Sequence, residues 1–183
     1  MDNGAADYRR YLEGDEKAFD AVLEAYRDGL IRFLDRIVHD SAVAEDLAID
    51  TFTELIVHPK RYNFKVSLKT YLYMIGRSRA LNFVKRRGRV TMLGLEEAEP
   101  LPAADPDPAD TAEAAEQRRA LNEALERLSP DQRTAVQLVY YEGMSYDETA
   151  AVMKKTRKQV DNLLYLAKKQ LRSMIGKEGA FPL

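Results

Sequence analysis

Apolar positions recur along this chain at three- and four-residue steps, the period that lines one face of an α-helix. Phe19, Val22, Leu23, Tyr26, Leu30, Leu34 and Ile37 make one such face, with Asp15 placed to cap its helix. A second face starts at about Ser41 and runs through Ala44, Leu47, Ala48, Thr51, Phe52, Leu55 and Ile56 until Pro59 ends it. A third helix is expected over Leu68 to Arg87. After a break the period resumes in Ala114, Leu121, Leu125 and Leu128. The pattern predicts an all-α protein.

The last third of the chain then shows helix-start signatures in close succession. Ser129-Pro130-Asp131-Gln132, Ser145-Tyr146-Asp147-Glu148 and Thr156-Arg157-Lys158-Gln159 each place a hydroxyl three residues before a Glu or Gln. In that arrangement each side chain can satisfy the other residue's orphan backbone N–H. Pro130 suits the first helical position, and Gly143 falls where the first of these helices must stop in a left-handed conformation. The last two starts leave room for a short helix, Tyr146 to Met153, and a turn of about three residues, the spacing of a DNA-reading helix-turn-helix. In the helix that follows, Val160, Leu164, Ala167 and Leu171 form an apolar stripe with Leu163 beside it. Thr156, Arg157, Lys158, Gln159, Asp161, Asn162, Tyr165, Lys168 and Lys169 lie mostly outside it. Amide and cationic side chains at the start of such a helix are those that pair with base edges or hold phosphates.

The formal net charge of −2 hides strong segregation. Lys60 through Leu95 holds many Lys and Arg residues and no acid, Glu96 to Glu116 holds eight acidic residues and no basic one, and basic residues dominate again from Lys154 to Arg172. Two separated basic surfaces imply two contacts on one nucleic acid, because phosphate affinity grows with the number of charges neutralised. The acidic stretch, with Pro100, Pro102, Pro106 and Pro108 and no apolar period, reads as a flexible linker. Two small helical domains are therefore expected at residues 1–89 and 112–183, joined by a linker at 90–111.

In the first domain the acid-free segment interleaves cations with rings: Lys60, Arg61, Tyr62, Asn63, Phe64 and Lys65 in a loop, then Lys69, Tyr71, Tyr73, Arg77, Arg79, Lys85, Arg86 and Arg87 on the helix. Rings stack on unpaired bases of any identity while cations follow the backbone. A helical domain also needs aromatic core, so each ring taken singly suits the interior, whereas the acid-free context turns the group toward nucleic acid. The preceding helix presents a different surface, with Glu45, Asp46, Asp50, Thr53 and Glu54 opposite its apolar side and Ile49 among them. An apolar residue in an acidic face is either incidental or part of a protein contact.

Other chemistries find little support. With 45% hydrophobic residues the 183-residue chain can build real cores, and it contains no cysteine, which removes disulfides, thiol nucleophiles and thiolate zinc sites. His39 and His58 stand at helix ends, no Gly-rich phosphate loop or paired-carboxylate constellation occurs, and no catalytic residue, metal site or cofactor is expected. No apolar run is long enough for a membrane span, so a cytoplasmic protein without membrane insertion is expected.

Gly14-Asp15-Glu16-Lys17-Ala18-Phe19, Ala44-Glu45-Asp46-Leu47-Ala48-Ile49-Asp50-Thr51-Phe52 and Thr70-Tyr71-Leu72-Tyr73-Met74-Ile75-Gly76-Arg77, followed by the linker and the helix-turn-helix, resemble the bacterial extracytoplasmic-function (group 4) sigma factors of the sigma-70 family. The resemblance covers about Tyr8 to Met174. It implies a region 2 helical bundle and a region 4 helix-turn-helix, with core RNA polymerase (its β′ clamp coiled coil and β flap), promoter DNA and an anti-sigma factor as partners. Glu45, Asp46, Ile49, Asp50, Thr53 and Glu54 match the helix that grips the clamp. Lys60 to Arg87 matches the part that opens the −10 element and captures an unpaired base, and Thr156 to Lys169 the reader of the −35 duplex. The acidic linker resembles the segment that threads through the polymerase. Tyr71-Leu72 stands where the family often has Trp-Leu, Ser78 where it has Asn, Asn82 where it has Asp, Lys154 where Gly is common, and Leu163 and Leu166 where Arg is common. The alternative is a stand-alone helix-turn-helix regulator, which would bind duplex DNA tightly without a polymerase.

Overall fold

The computed structural model describes residues 3–92 and 112–175 of the chain, and those residues form α-helices, one 3-10 turn, one π turn and no strand. The all-α expectation holds. The chain divides into two compact units, Met1–Leu101 and Pro102–Leu183.

Unit one contains α1 (Asn3–Leu12), α2 (Lys17–Val38), α3 (Ser41–Val57), a 3-10 turn (Pro59–Arg61) and α4 (Leu68–Met92). The core follows the predicted faces: Phe19, Val22, Leu30 and Leu34 from α2 and Ala44, Ala48, Phe52 and Leu55 from α3 are buried, joined by Leu68, Leu72 and Tyr73 of α4. Ile56, expected on the buried side, is exposed. Helix α3 is capped by Asp40, whose carboxylate accepts from Val43 N–H at 3.1 Å. Helix α4 is capped by Ser67, whose Oγ accepts from Thr70 N–H at 3.1 Å. Asp15 does not cap α2: no side chain caps that start, and the Asp15 carboxylate pairs with Arg10 of α1 instead. Gly76 lets α4 lie close to α2, because a Cβ there would stand 3.1 Å from Leu30 Cδ1 and 3.2 Å from Leu34 Cδ2.

Helix α1 is the element that apolar period did not reveal. Tyr8 is fully buried, and its hydroxyl donates to the Leu55 carbonyl at 2.8 Å. Four residues beyond Leu55 stands Pro59, which has no N–H to offer that carbonyl. The tyrosine supplies the donor that α3 lacks. Burying its ring is worth about 2 kcal/mol, which helps hold a helix too short to be stable alone.

Unit two contains α5 (Ala112–Glu126), α6 (Pro130–Val136), a π turn (Gln137–Tyr141), α7 (Tyr146–Met153) and α8 (Arg157–Ile175). Leu125, Leu128, Val136, Leu138, Met144, Val152, Met153, Val160, Leu164, Ala167 and Leu171 make its core. The α6 helix widens into the π turn, where Glu142 N–H reaches Gln137 at 3.0 Å and Met144 N–H reaches Leu138 at 2.9 Å, and the chain leaves through Gly143 at φ 65°. The sequence predicts the stop at Gly143 but not the π turn before it.

Helix α4 continues through Met92, past the expected domain edge at Arg89. The rest of the expected linker, residues 93–111, lies outside the described residues.

Candidate nucleic-acid interface

All of the predicted caps in unit two form. Ser129 with Gln132 and Ser145 with Glu148 make reciprocal capping boxes. Gln159 Oε1 accepts from Thr156 N–H at 2.8 Å while Thr156 Oγ accepts from Gln159 N–H at 3.2 Å. Between α7 and α8 the turn is Lys154, Lys155 and Thr156, and Lys154 takes the left-handed conformation with φ 54° and ψ 45° that glycine adopts more easily. Lys155 N–H closes the end of α7 on the Ala150 carbonyl at 2.9 Å, and the Lys155 ammonium pairs with Asp131 at 2.8 Å. The geometry is a helix-turn-helix with α8 as its second helix.

The faces of α8 separate as the sequence predicts. Val160, Leu164, Ala167 and Leu171 are buried, whereas Arg157, Lys158, Asp161, Asn162, Tyr165 and Lys169 are exposed, Tyr165 to 64%. Three expected readers have other commitments. Gln159 and Thr156 are exposed, but their polar atoms close the helix start. The half-buried Lys168 places its ammonium over the Tyr140 ring, 5.2 Å from the centroid. Tyr146 lies in the same cluster, and burial, then Tyr140, pushes its phenol upward. Arg157, at the start of α8, reaches Asp147 of α7 at 3.1 Å.

In unit one the loop between the 3-10 turn and α4 folds on itself. Tyr62 is buried and its hydroxyl donates to the Val66 carbonyl at 2.8 Å, while Asn63 Oδ1 accepts from Lys65 N–H at 3.1 Å. Phe64, half-buried, has φ 59°, a conformation costly for a bulky residue. Its ring packs 4.5 Å from Tyr62, with the Arg9 guanidinium 4.6 Å above it. Tyr71 packs 4.9 Å from Tyr62. Its hydroxyl is pushed upward by burial and then by the Glu54 charge, with Arg61 opposing. Tyr62 and Tyr73, considered as stacking platforms, are core residues instead: Tyr73 is fully buried against Phe33, with centroids 5.0 Å apart. Lys60, Asn63, Lys65, Lys85 and Arg86 are exposed, and Lys69, Arg77 and Arg87 are half-buried.

On α3, Glu45, Asp46, Ile49, Asp50 and Thr53 are exposed together, Ile49 to 60%. Glu54 differs. Its carboxylate takes Arg61 on Oε1 and Arg79 on Oε2, the latter at 3.1 Å, and Asp50 approaches the same Arg79 at 3.6 Å. Burial raises the Glu54 carboxyl, but the Arg61 hydrogen bond and charge, with His58 and Arg79, outweigh it and hold the group below its ordinary value. The acidic face and the basic segment, read separately in the sequence, meet at this residue.

Among the described residues no helix is long and apolar enough to cross a membrane, and no group of three or more His, Cys, Asp or Glu is arranged to hold a metal ion. The two-unit helical architecture and the helix-turn-helix thus define a DNA-binding protein class, and similarity to known proteins narrows it. Residues 22–90 match Sigma-70 region 2, and residues 118–171 match Sigma-70, region 4. The RNA polymerase sigma factor CarQ of Myxococcus xanthus is 32% identical over 144 residues, covering 78% of this chain and 80% of that protein. The ECF RNA polymerase sigma factor SigE of Mycolicibacterium smegmatis is 29% identical over 171 residues, covering 91% of this chain and 66% of its own longer sequence. The fold is shared with the sigma factor RpoE of Bartonella quintana, solved with the anti-sigma factor NepR, at a TM-score of 0.73 and 23% identity over 88% of this chain and 99% of that one. The chain belongs to the sigma-70 family, among its extracytoplasmic-function members.

Proposed function

We propose that this chain binds core RNA polymerase and directs it to promoters, reading a −35 duplex with α8 and holding a melted −10 strand against the Lys60 to Arg87 segment. Polymerase performs the chemistry, and the family is one of initiation subunits, not enzymes. The observation that carries the reading is the presence, in one chain, of a region 2 unit with an exposed acidic helix face and a region 4 unit with an exposed basic reader. Glu45, Asp46, Ile49, Asp50 and Thr53 are suited to a cationic partner surface with an apolar centre, which the polymerase clamp would provide. Arg157, Lys158, Asn162 and Lys169 are exposed on the side of α8 that can approach a major groove. A net charge of −2 is consistent with weak DNA binding by the free chain and with promoter recognition that depends on polymerase. Action in the cytoplasm and restraint by an anti-sigma factor belong to the same reading.

Run-off transcription with purified bacterial core polymerase on a genomic library from the host tests it. Specific starts that appear only when the chain is added are the expected result. Tight duplex binding without any association with core would establish a stand-alone regulator instead.

A further inference from the structure

Glu54 does not share the environment of its acidic neighbours. Glu45, Asp46 and Asp50 are exposed, whereas the Glu54 side chain is only 17% exposed and both of its oxygens are occupied by guanidinium groups from other elements. Arg61 closes the 3-10 turn at the head of the loop that contains Tyr62, Phe64 and Val66, and Arg79 stands on α4. One carboxylate therefore ties α3, that loop and α4 together. The loop needs such a tie, since Phe64 holds a left-handed backbone at φ 59° that surrounding contacts must maintain. A carboxylate already paired on both oxygens has little capacity left for a cation on another protein, and exchanging partners would cost the half-buried Arg79 its nearer carboxylate and leave it only Asp50 at 3.6 Å.

We propose that Glu54 is a positioning residue for the strand-capture loop, acting through Arg61 and Arg79, and is not a polymerase contact; this rests on the sigma-factor reading above.

The test uses the full chain, core polymerase and a promoter fragment mapped by run-off transcription. Two quantities are read: affinity for core, and capture of a single-stranded −10 oligonucleotide by holoenzyme assembled at saturating core. For Glu54→Gln, core affinity is expected to stay within about twofold while strand capture weakens about tenfold. Asp46→Asn, on the exposed face, is expected to do the reverse. Arg79→Gln should weaken capture as well, and the double variant with Glu54→Gln should lose less than the product of the two single losses, because the pair they share is removed once, while the Arg61 link is lost only with Glu54. Should Glu54→Gln disturb folding, which circular dichroism would reveal, Glu54→Asp, which keeps the charge but shortens its reach to both arginines, gives the same readout at the same position. Loss of core affinity in Glu54→Gln with capture unchanged at saturating core would overturn the proposal, as would no change in either quantity. If the unsubstituted chain fails to bind core, the sigma-factor reading itself fails, an outcome distinct from all of these.

Discussion

Tyr8 satisfies a carbonyl that α3 cannot satisfy for itself, and the arrangement has measurable consequences. Tyr8→Phe keeps the ring and removes the donor to Leu55, which should cost about 1–3 kcal/mol as an unpaired buried acceptor; urea unfolding would show the lowered midpoint. Burial first, then the neighbouring Tyr11, Tyr71 and Tyr62, push the Tyr8 phenol up from 10.0 to about 12. Between those values the unfolded chain releases this proton while the folded chain keeps it. The resulting stability is complete below pH 10.0 and is lost as pH rises toward 12. The substituted chain should lack that share of the alkaline decline. Glu54 has the opposite sign. Its depressed carboxyl contributes above pH 4.5, and the contribution disappears as pH falls from there through the lower folded value, so Glu54→Gln should show a flatter acid limb. Lys154 supplies another residue-scale expectation. A side chain at φ 54° is disfavoured, and Lys154→Gly should stabilise unit two by roughly 0.5–1 kcal/mol, read as a raised melting temperature.

At the scale of elements, the helices of unit two are set by short-range chemistry. Each capping box uses side chains three residues apart, which is why the starts of α6, α7 and α8 were legible in the sequence. Ser145→Ala should cost about 1 kcal/mol by leaving the first turn of α7 uncapped. Gln159→Ala should likewise lower the melting temperature by breaking its box, without changing which −35 base is preferred, a distinction that a base-substitution binding panel would make. Other elements depended on partners distant in sequence. Helix α1 is held by partners outside itself, Leu55 for the Tyr8 hydroxyl and Phe19 for the Tyr11 ring, and nothing within α1 announces those contacts. Asp15 illustrates the converse: the residue type fits a cap, but Arg10 of α1 takes its carboxylate. The π turn at Gln137–Tyr141 leaves no local signature that separates it from ordinary helix.

At the scale of the molecule, basic charge is split between two stretches, Lys60–Leu95 and Lys154–Arg172. The exposed cations of α8 would provide only part of the phosphate neutralisation that a promoter complex needs. Replacing Arg157, Lys158 and Lys169 together with alanine should weaken −35 binding by holoenzyme and reduce the salt slope by about 1 for every phosphate that is no longer neutralised. Filter binding at several salt concentrations would measure it, and an unchanged slope would place the DNA on another face. The candidate surfaces were legible to different degrees. The exposed face of α8 could be read from its period, since one amphipathic helix on a core has only one side left for solvent. The acidic face of α3 could be read in the same way, apart from Glu54.

What the sequence determined by itself is what acts within a few residues: helical period, the reciprocal caps, the turn between α7 and α8, and the segregation of charge along the chain. Tertiary structure alone decided which rings became core and which ions became internal. Tyr62 went inside against Tyr8 of α1 and Tyr71 of α4, and Tyr73 against Phe33 of α2, while Arg61 and Arg79 turned to Glu54 because helix packing brought opposite charges together from separate elements. Burial and ion pairing depend on neighbours in space, and a one-dimensional pattern records only neighbours along the chain.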